Sequence, residues 1–171
     1  MNIAALLERL LPSLVVAGAG GAGLMAGLLF AFSNFVMRAL AQMPAAQGME
    51  AMQRINVEII NPLFLLLFMG TAAVCLAVLA SAFTTGGTQA RVWLVIGAGC
   101  YLVGVIGITA AFNVPLNNSI ANLPAASAET AWPKYIAAWL RWNHLRTALA
   151  TVASTSLAFG AFRLGAVAST P

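Results

Sequence analysis

The chain has 171 residues, of which 61% are hydrophobic and 7% charged, with a formal net charge of +4. An ordinary soluble domain carries about a quarter charged residues, so a surface this poor in charge excludes a protein held in water by its own exterior. The eight Lys and Arg are scattered along the chain, mostly at the ends of apolar stretches; without a basic cluster, the net charge points to a membrane and not to nucleic acid.

Residues 10–37, 59–90, 92–128 and 147–162 carry no charge. A helix needs about 20 apolar residues to cross the hydrocarbon core, so the gaps predict an all-α integral membrane protein. Its fold is a four-transmembrane-helix bundle, a single domain over 1–171, with spans near 11–35, 60–83, 92–112 and 144–163. The first apolar run exceeds the about 7–15 residues of a secretory signal and follows only Arg9, so it reads as a retained span. That span is dense in glycine (Gly18, Gly20, Gly21, Gly23, Gly27), and Gly23 and Gly27 form a GxxxG that lets helix backbones approach closely. The partner helix is either in the same chain or in a second copy, which leaves a homo-oligomer open.

Between the first two spans, Gln47 to Ile60 is amphipathic, with Glu50, Arg54 and Glu58 at helical spacing. This helix is expected to run into span two, with a bend where Pro62 removes a backbone donor. Thr84–Ala90 is a short polar turn, so spans two and three are adjacent. In span three, Gly97, Cys100, Gly104 and Gly107 share a face. It is expected to end near Phe112, with Pro115 stopping regular helix. A last helix should start around Pro133 after a cap at Thr130, with Trp132, Tyr135, Trp139 and Trp142 at headgroup level. Only 16 residues separate Arg146 from Arg163, about 24 Å of helix against about 30 Å of hydrocarbon. Either Arg163 snorkels outward, or Asn143 and Arg146 reach below the interface. Cys75 and Cys100 both lie about 12–14 Å below the same surface, as buried thiols or, less simply, as a bridge.

Four spans with short connections put the 1–2 and 3–4 connections on one face. That face collects Asn34, Arg38, Arg54, Asn56, Glu58, Asn61, Asn113, Asn117, Asn118, Asn143, His144 and Arg146; the other has far less polarity. Amides and guanidinium groups at the edge of a bilayer must be paired or wetted, and a concave pocket open toward one leaflet meets both demands. Helix capping and headgroup binding account for some of these residues. A short echo, Ala31-Phe-Ser-Asn34 against Ala111-Phe-Asn113 and Arg54-Ile-Asn56 against Arg141-Trp-Asn143, is compatible with two parallel helical-hairpin repeats. No spacing suits a metal site, and no phosphate loop or nucleophile elbow is present.

Asn113-Val-Pro-Leu-Asn117 and Trp139-x-x-Trp142-Asn143-x-x-Arg146 resemble motifs of a family of small four-helix membrane proteins that includes the fungal anthrone oxygenases. Phe32-x-Asn34-Phe35 and Gln53-Arg54-Ile55-Asn56 support the resemblance, which spans about residues 15–163. It implies cofactor-free, metal-free oxygenation of a flat hydrophobic aromatic by O2. On that basis His144 is the candidate base. Arg54 and Arg146 are candidates to stabilise anionic oxygen. Asn34, Asn56, Asn113, Asn117 and Asn143 are candidate substrate-binding amides, and Trp142 a stacking platform. A membrane binder or transporter of a small amphipathic molecule would use a similar pocket, although no span carries an ionisable residue near its midpoint. A structural subunit of a membrane complex would instead have a packed site. The expected setting is a bacterial inner membrane. Counting all Lys and Arg places the pocket in the cytoplasm; leaving out Arg54 and Arg146 balances the two faces.

Overall fold

The computed structural model describes residues 3–84 and 88–168. All regular structure among them is helical, and Arg9–Ala41, Pro62–Phe83, Ala90–Ile120 and Ala125–Gly165 are long and apolar enough to cross a membrane. The chain is an all-α four-helix membrane bundle. The centre of the Thr84–Ala90 turn, residues 85–87, lies outside the described residues.

Helix α1 (Ile3–Ala31) passes through a π-helical turn at Phe32–Val36 into the short α2 (Met37–Ala41). The amphipathic α3 (Ala45–Glu58) follows, then α4 (Pro62–Thr84) and α5 (Thr88–Gly99). The third span leaves α geometry over Cys100–Gly107 and Thr109–Asn113, both π-helical, before α6 (Val114–Ile120). A 3-10 turn at Ala125–Ser127 leads into α7, Ala128–Ala168, a helix of 41 residues.

Two connections differ from the sequence expectation. Pro62 does not bend a continuous helix but opens a new one, since α3 ends at Glu58. The break is fixed by Asn61, whose Oδ1 accepts from the Phe64 amide at 3.0 Å while its Nδ2 donates to the Glu58 carbonyl at 3.0 Å. Proline then stands in the first turn, where no backbone donor is required. Pro115 likewise stops nothing. It sits in the first turn of α6, directly after a π segment whose wider backbone ring has shifted the hydrogen-bond register. The third span therefore reaches Ile120, and α7 begins five residues before Pro133.

Small residues hold the spans together. α1 packs against α7 and α4, and α5 against α7. A Cβ on Gly104 would lie 2.5 Å from Leu149 Cβ, and one on Gly97 would lie 3.0 Å from the Leu157 backbone nitrogen. Helices approaching this closely gain from dispersion and not from the hydrophobic effect, which lipid cannot supply. Gly23 packs on Ser154 of the same chain, while Gly27 meets nothing within 4 Å. Ser154 Oγ donates to the Ala19 carbonyl at 2.9 Å, tying α7 to α1. Cys75 is buried in this core and Cys100 half-buried, and both thiols are free.

A second apolar cluster lies beyond the first, at the polar end. Met49 and Met52 of α3 are buried there with Met37, Ile120, Trp132, Tyr135 and Trp139. The amphipathic helix thus lies across the early turns of α7, with Glu50, Arg54 and Glu58 outward. Gln53 Nε2 donates to the Ile120 carbonyl at 2.6 Å and fastens α3 to the end of α6. The result is a roof over that end of the bundle.

Gly104→Val should lower the melting temperature of the detergent-solubilised protein, because overpacking a tight contact costs about 1–3 kcal/mol. Gly27→Val, placed where nothing is met, should leave it unchanged; equal effects of the two would contradict the packing described.

Candidate functional site

On α7, Trp132, Tyr135, Trp139, Asn143, Arg146, Ala150, Ala153 and Leu157 are all buried, at the spacing of three and four that defines one helix face. Most of that stripe is apolar. Asn143 and Arg146 interrupt it, at 0% and 6% exposure. Arg146 is thus enclosed by the bundle and not on its outer surface.

Neutral oxygens hold the Arg146 guanidinium. Nη1 donates to Thr109 Oγ1 at 3.0 Å and Nη2 to Asn143 Oδ1 at 2.6 Å. Its Cζ lies 5.4 Å from the centre of the Trp139 ring, within cation–π range. Asn143 is itself fixed from the other side, since its Nδ2 donates to the Leu29 carbonyl and to Ser33 Oγ, each at 2.8 Å. One amide therefore joins α7 to α1 and orients the arginine. Glu50, Glu58 and Glu129 are exposed, so none of them neutralises Arg146. A buried cation without a carboxylate keeps much of its field, because the low dielectric screens it weakly.

That field faces a cavity of about 240 Å³ between α1, α3, α4, the third span and α7. Apolar side chains, including Leu28, Phe32, Met52, Phe64 and Phe68, make most of its wall, and Asn56, Thr109, Asn113, Asn117, Trp139 and Arg146 supply the polar part. A predominantly apolar wall with a few convergent polar groups is the usual form of a small-molecule site. Asn113 is buried and reaches only the Trp139 carbonyl, at 3.5 Å through Nδ2. Asn117 Oδ1 accepts from Tyr135 Oη at 2.9 Å and from Trp139 Nε1 at 3.0 Å, locking both rings.

Two buried polar atoms on this wall have no protein partner: Asn113 Oδ1 and Arg146 Nε. An unpaired buried donor or acceptor costs about 1–3 kcal/mol. Together they would suit a ligand bearing both an oxygen acceptor and an O–H donor.

Of the residues singled out in the sequence, Asn56, Asn113, Asn117 and Arg146 meet at the cavity, with Asn143 directly behind Arg146. The others do not join them. Arg54 is exposed and paired with Glu50 at 2.6 Å. Asn34 and His144 are exposed on the outside of the bundle. Trp142 is half-buried, and its ring already stacks on Phe112 at 3.6 Å with planes 8° apart. Arg54, Asn34, Trp142 and the proposed base, His144, therefore lie off the cavity. Arg146 is the one ionisable side chain among the residues that line it.

Trp139, Thr109 and Tyr135 were missed as site residues. Positions 139, 143 and 146 share a helix face with 135, and 144 lies on the opposite side; that spacing was the available signal, although it does not separate 142 from the face. Thr109 offered only its hydroxyl in an otherwise apolar stretch. Among the described residues, no three His, Cys, Asp or Glu side chains gather as metal ligands would.

The fold and cavity define a four-helix membrane protein whose bundle holds a mostly apolar cavity with a few polar groups on its wall. Residues 64–156, more than half of the chain, match the anthrone oxygenase family model, and the chain belongs to that family. No curated protein and no solved structure matches it. The matched region carries Thr109, Asn113, Asn117, Trp139, Asn143 and Arg146. The roof helix α3, with Asn56, lies before it.

Asn143→Ala should destabilise the solubilised protein by about 1–3 kcal/mol, because it leaves the Leu29 carbonyl, Ser33 and a guanidinium N–H without their partner. Thermal unfolding checks this, with Asn34→Ala, at an exposed site, as the unaffected control.

Proposed function

We propose that the chain is a membrane-embedded oxygenase that converts the CH2 of a flat, anthrone-like ketone to a carbonyl, using O2 and no cofactor. The setting we infer is a bacterial inner membrane. Family membership supports the reaction class, and the observation that carries the reading is the uncompensated guanidinium of Arg146 beside an apolar cavity.

The chemistry follows from that pairing. An anthrone tautomerises to a phenol, and a positive charge at the oxygen favours loss of its proton. With no carboxylate or imidazole on the wall, Arg146 promotes ionisation by stabilising the anion, and the proton passes to water. The electron-rich anion gives one electron to O2; the carbon radical and superoxide combine to a peroxide anion, which takes a proton back from water and then loses H2O as its O–O and C–H bonds break. In sum, one CH2 and one O2 give one C=O and one H2O. Asn113 holds the oxygenated edge through its unpaired oxygen, and Trp139 lies against Arg146. Thr109 and Asn143 position the guanidinium before the charge develops, which is how preorganised donors accelerate such steps.

In nanodiscs with a hydroxyanthrone, quinone should form with one O2 consumed per carbonyl. Arg146→Gln should lower kcat about 10²–10³-fold, as loss of an oxyanion-stabilising donor does. His144→Ala and Arg54→Ala, both off the cavity, should stay within about twofold, a change worth under 0.5 kcal/mol. Full turnover by a folded Arg146→Gln protein would sink the proposal.

A further inference from the structure

The cavity is bordered by side chains that also face outward. Leu65 and Met69 of α4 are 42% and 54% exposed, and Val114 at the start of α6 is 43% exposed, yet all three line it. All are apolar, and all belong to stretches able to cross the membrane. The opening lies between the early turns of α4 and the end of the third span.

Its cause is visible in how α4 is held. α4 packs on α1, α5 and Cys100–Gly107. Tyr101 Oη donates to the Phe68 carbonyl at 3.0 Å, and Thr71 sits directly against Gly21 of α1. Those contacts pin the helix from Phe68 onward, while the turns before it stand away from Thr109–Asn113 and leave the gap. Counting from Pro62, where the apolar span begins, Leu65 and Met69 lie about 4–10 Å along the helix, short of the middle of a hydrocarbon core about 30 Å thick.

A second, smaller groove meets the cavity at Asn56, Ile60, Val114 and Asn117. Gln53 and Asn118 on its wall make it the more polar of the two. A ligand could approach through either.

We propose that the cavity takes its ligand sideways from the bilayer, through the opening bordered by Leu65, Met69 and Val114. The ligand class is an uncharged flat aromatic already dissolved in the lipid. An apolar rim imposes no desolvation penalty on such a molecule. The amide groove would require the same molecule to leave the lipid and cross a polar surface before reaching the pocket. The inference rests on the cavity being a ligand site, and it does not depend on which reaction follows.

The test uses the full chain in vesicles, with Cys75 and Cys100 replaced by Ala and one cysteine placed on the inner wall as Met25→Cys, or as Leu28→Cys if the first fails to fold. N-phenylmaleimide, flat and lipid-soluble, should label that thiol faster than a quaternary-ammonium maleimide. Met69→Trp together with Val114→Trp should slow N-phenylmaleimide at least about tenfold, one barrier increment of about 1.4 kcal/mol. Asn118→Trp, in the amide groove, should not slow it. Equal or faster labelling by the charged reagent, no labelling by either, or slowing by Asn118→Trp alone would overturn the proposal. So would an unchanged rate in the double tryptophan variant. Lateral labelling without anthrone turnover would refute the oxygenase reading alone; turnover with unaltered labelling in the double variant would refute only the lateral route.

Discussion

A guanidinium taken out of water and given no carboxylate must be held by dipoles, and most of the polar detail of this bundle exists to hold one. Arg146 is bound by Thr109 from the third span and by Asn143 from its own helix. Asn143 is bound in turn by the Leu29 carbonyl and Ser33 of the first span, and Ser33 Oγ lies 3.1 Å from Thr147 Oγ1. Three of the four spans are thus tied around one charge. Leaving any of these groups unpaired in a low dielectric is expensive, so the network fixes the relative height and rotation of α1, the third span and α7. α4 gives no side chain to this network, and lines the cavity with apolar residues such as Phe64 and Phe68. The cavity lies on the side of the bundle that this network does not reach.

The membrane architecture was legible because charge is excluded from hydrocarbon so strongly that gaps between charges mark the spans. Helix ends were less legible. Pro62 and Pro115 look like interruptions, and each instead occupies the first turn of a helix. Asn61, the residue that makes the break before α4, carried no signal distinguishing it from the other asparagines nearby. Four of the residues that made the polarity lopsided, Asn56, Asn113, Asn117 and Arg146, line the cavity.

Within that end, the sequence could not separate residues facing inward from residues facing lipid or headgroups. Arg54 and Arg146 are alike in composition, yet one is 77% exposed in its ion pair and the other is 6% exposed. Helical phase separates His144 from Arg146: two positions apart, they point to opposite sides of α7. Trp142 was attractive as a lone flat surface, but Phe112, one residue before Asn113, already covers it. Such pairings join distant parts of the chain and leave no trace in spacing.

The π-helical stretches give the third span a property that its length does not reveal. Gly97 and Gly104 fix one face of this span against α7, and Asn113 and Asn117 must still face the cavity further along. Across these two obligations the chain leaves α geometry twice, over Cys100–Gly107, which includes Gly104, and over Thr109–Asn113. Each extra residue accommodated in a π turn advances the following side chains by about 100° relative to an uninterrupted α-helix. The span therefore has a phase as well as a length. Substitutions in Gly107–Ala111 that spare Thr109 would be mild, whereas losing one residue there would carry the asparagines away from the cavity while the hydropathy of the span barely changed. Relatives that bind similar molecules should differ along this stretch by exchange of residues and hardly ever by their number.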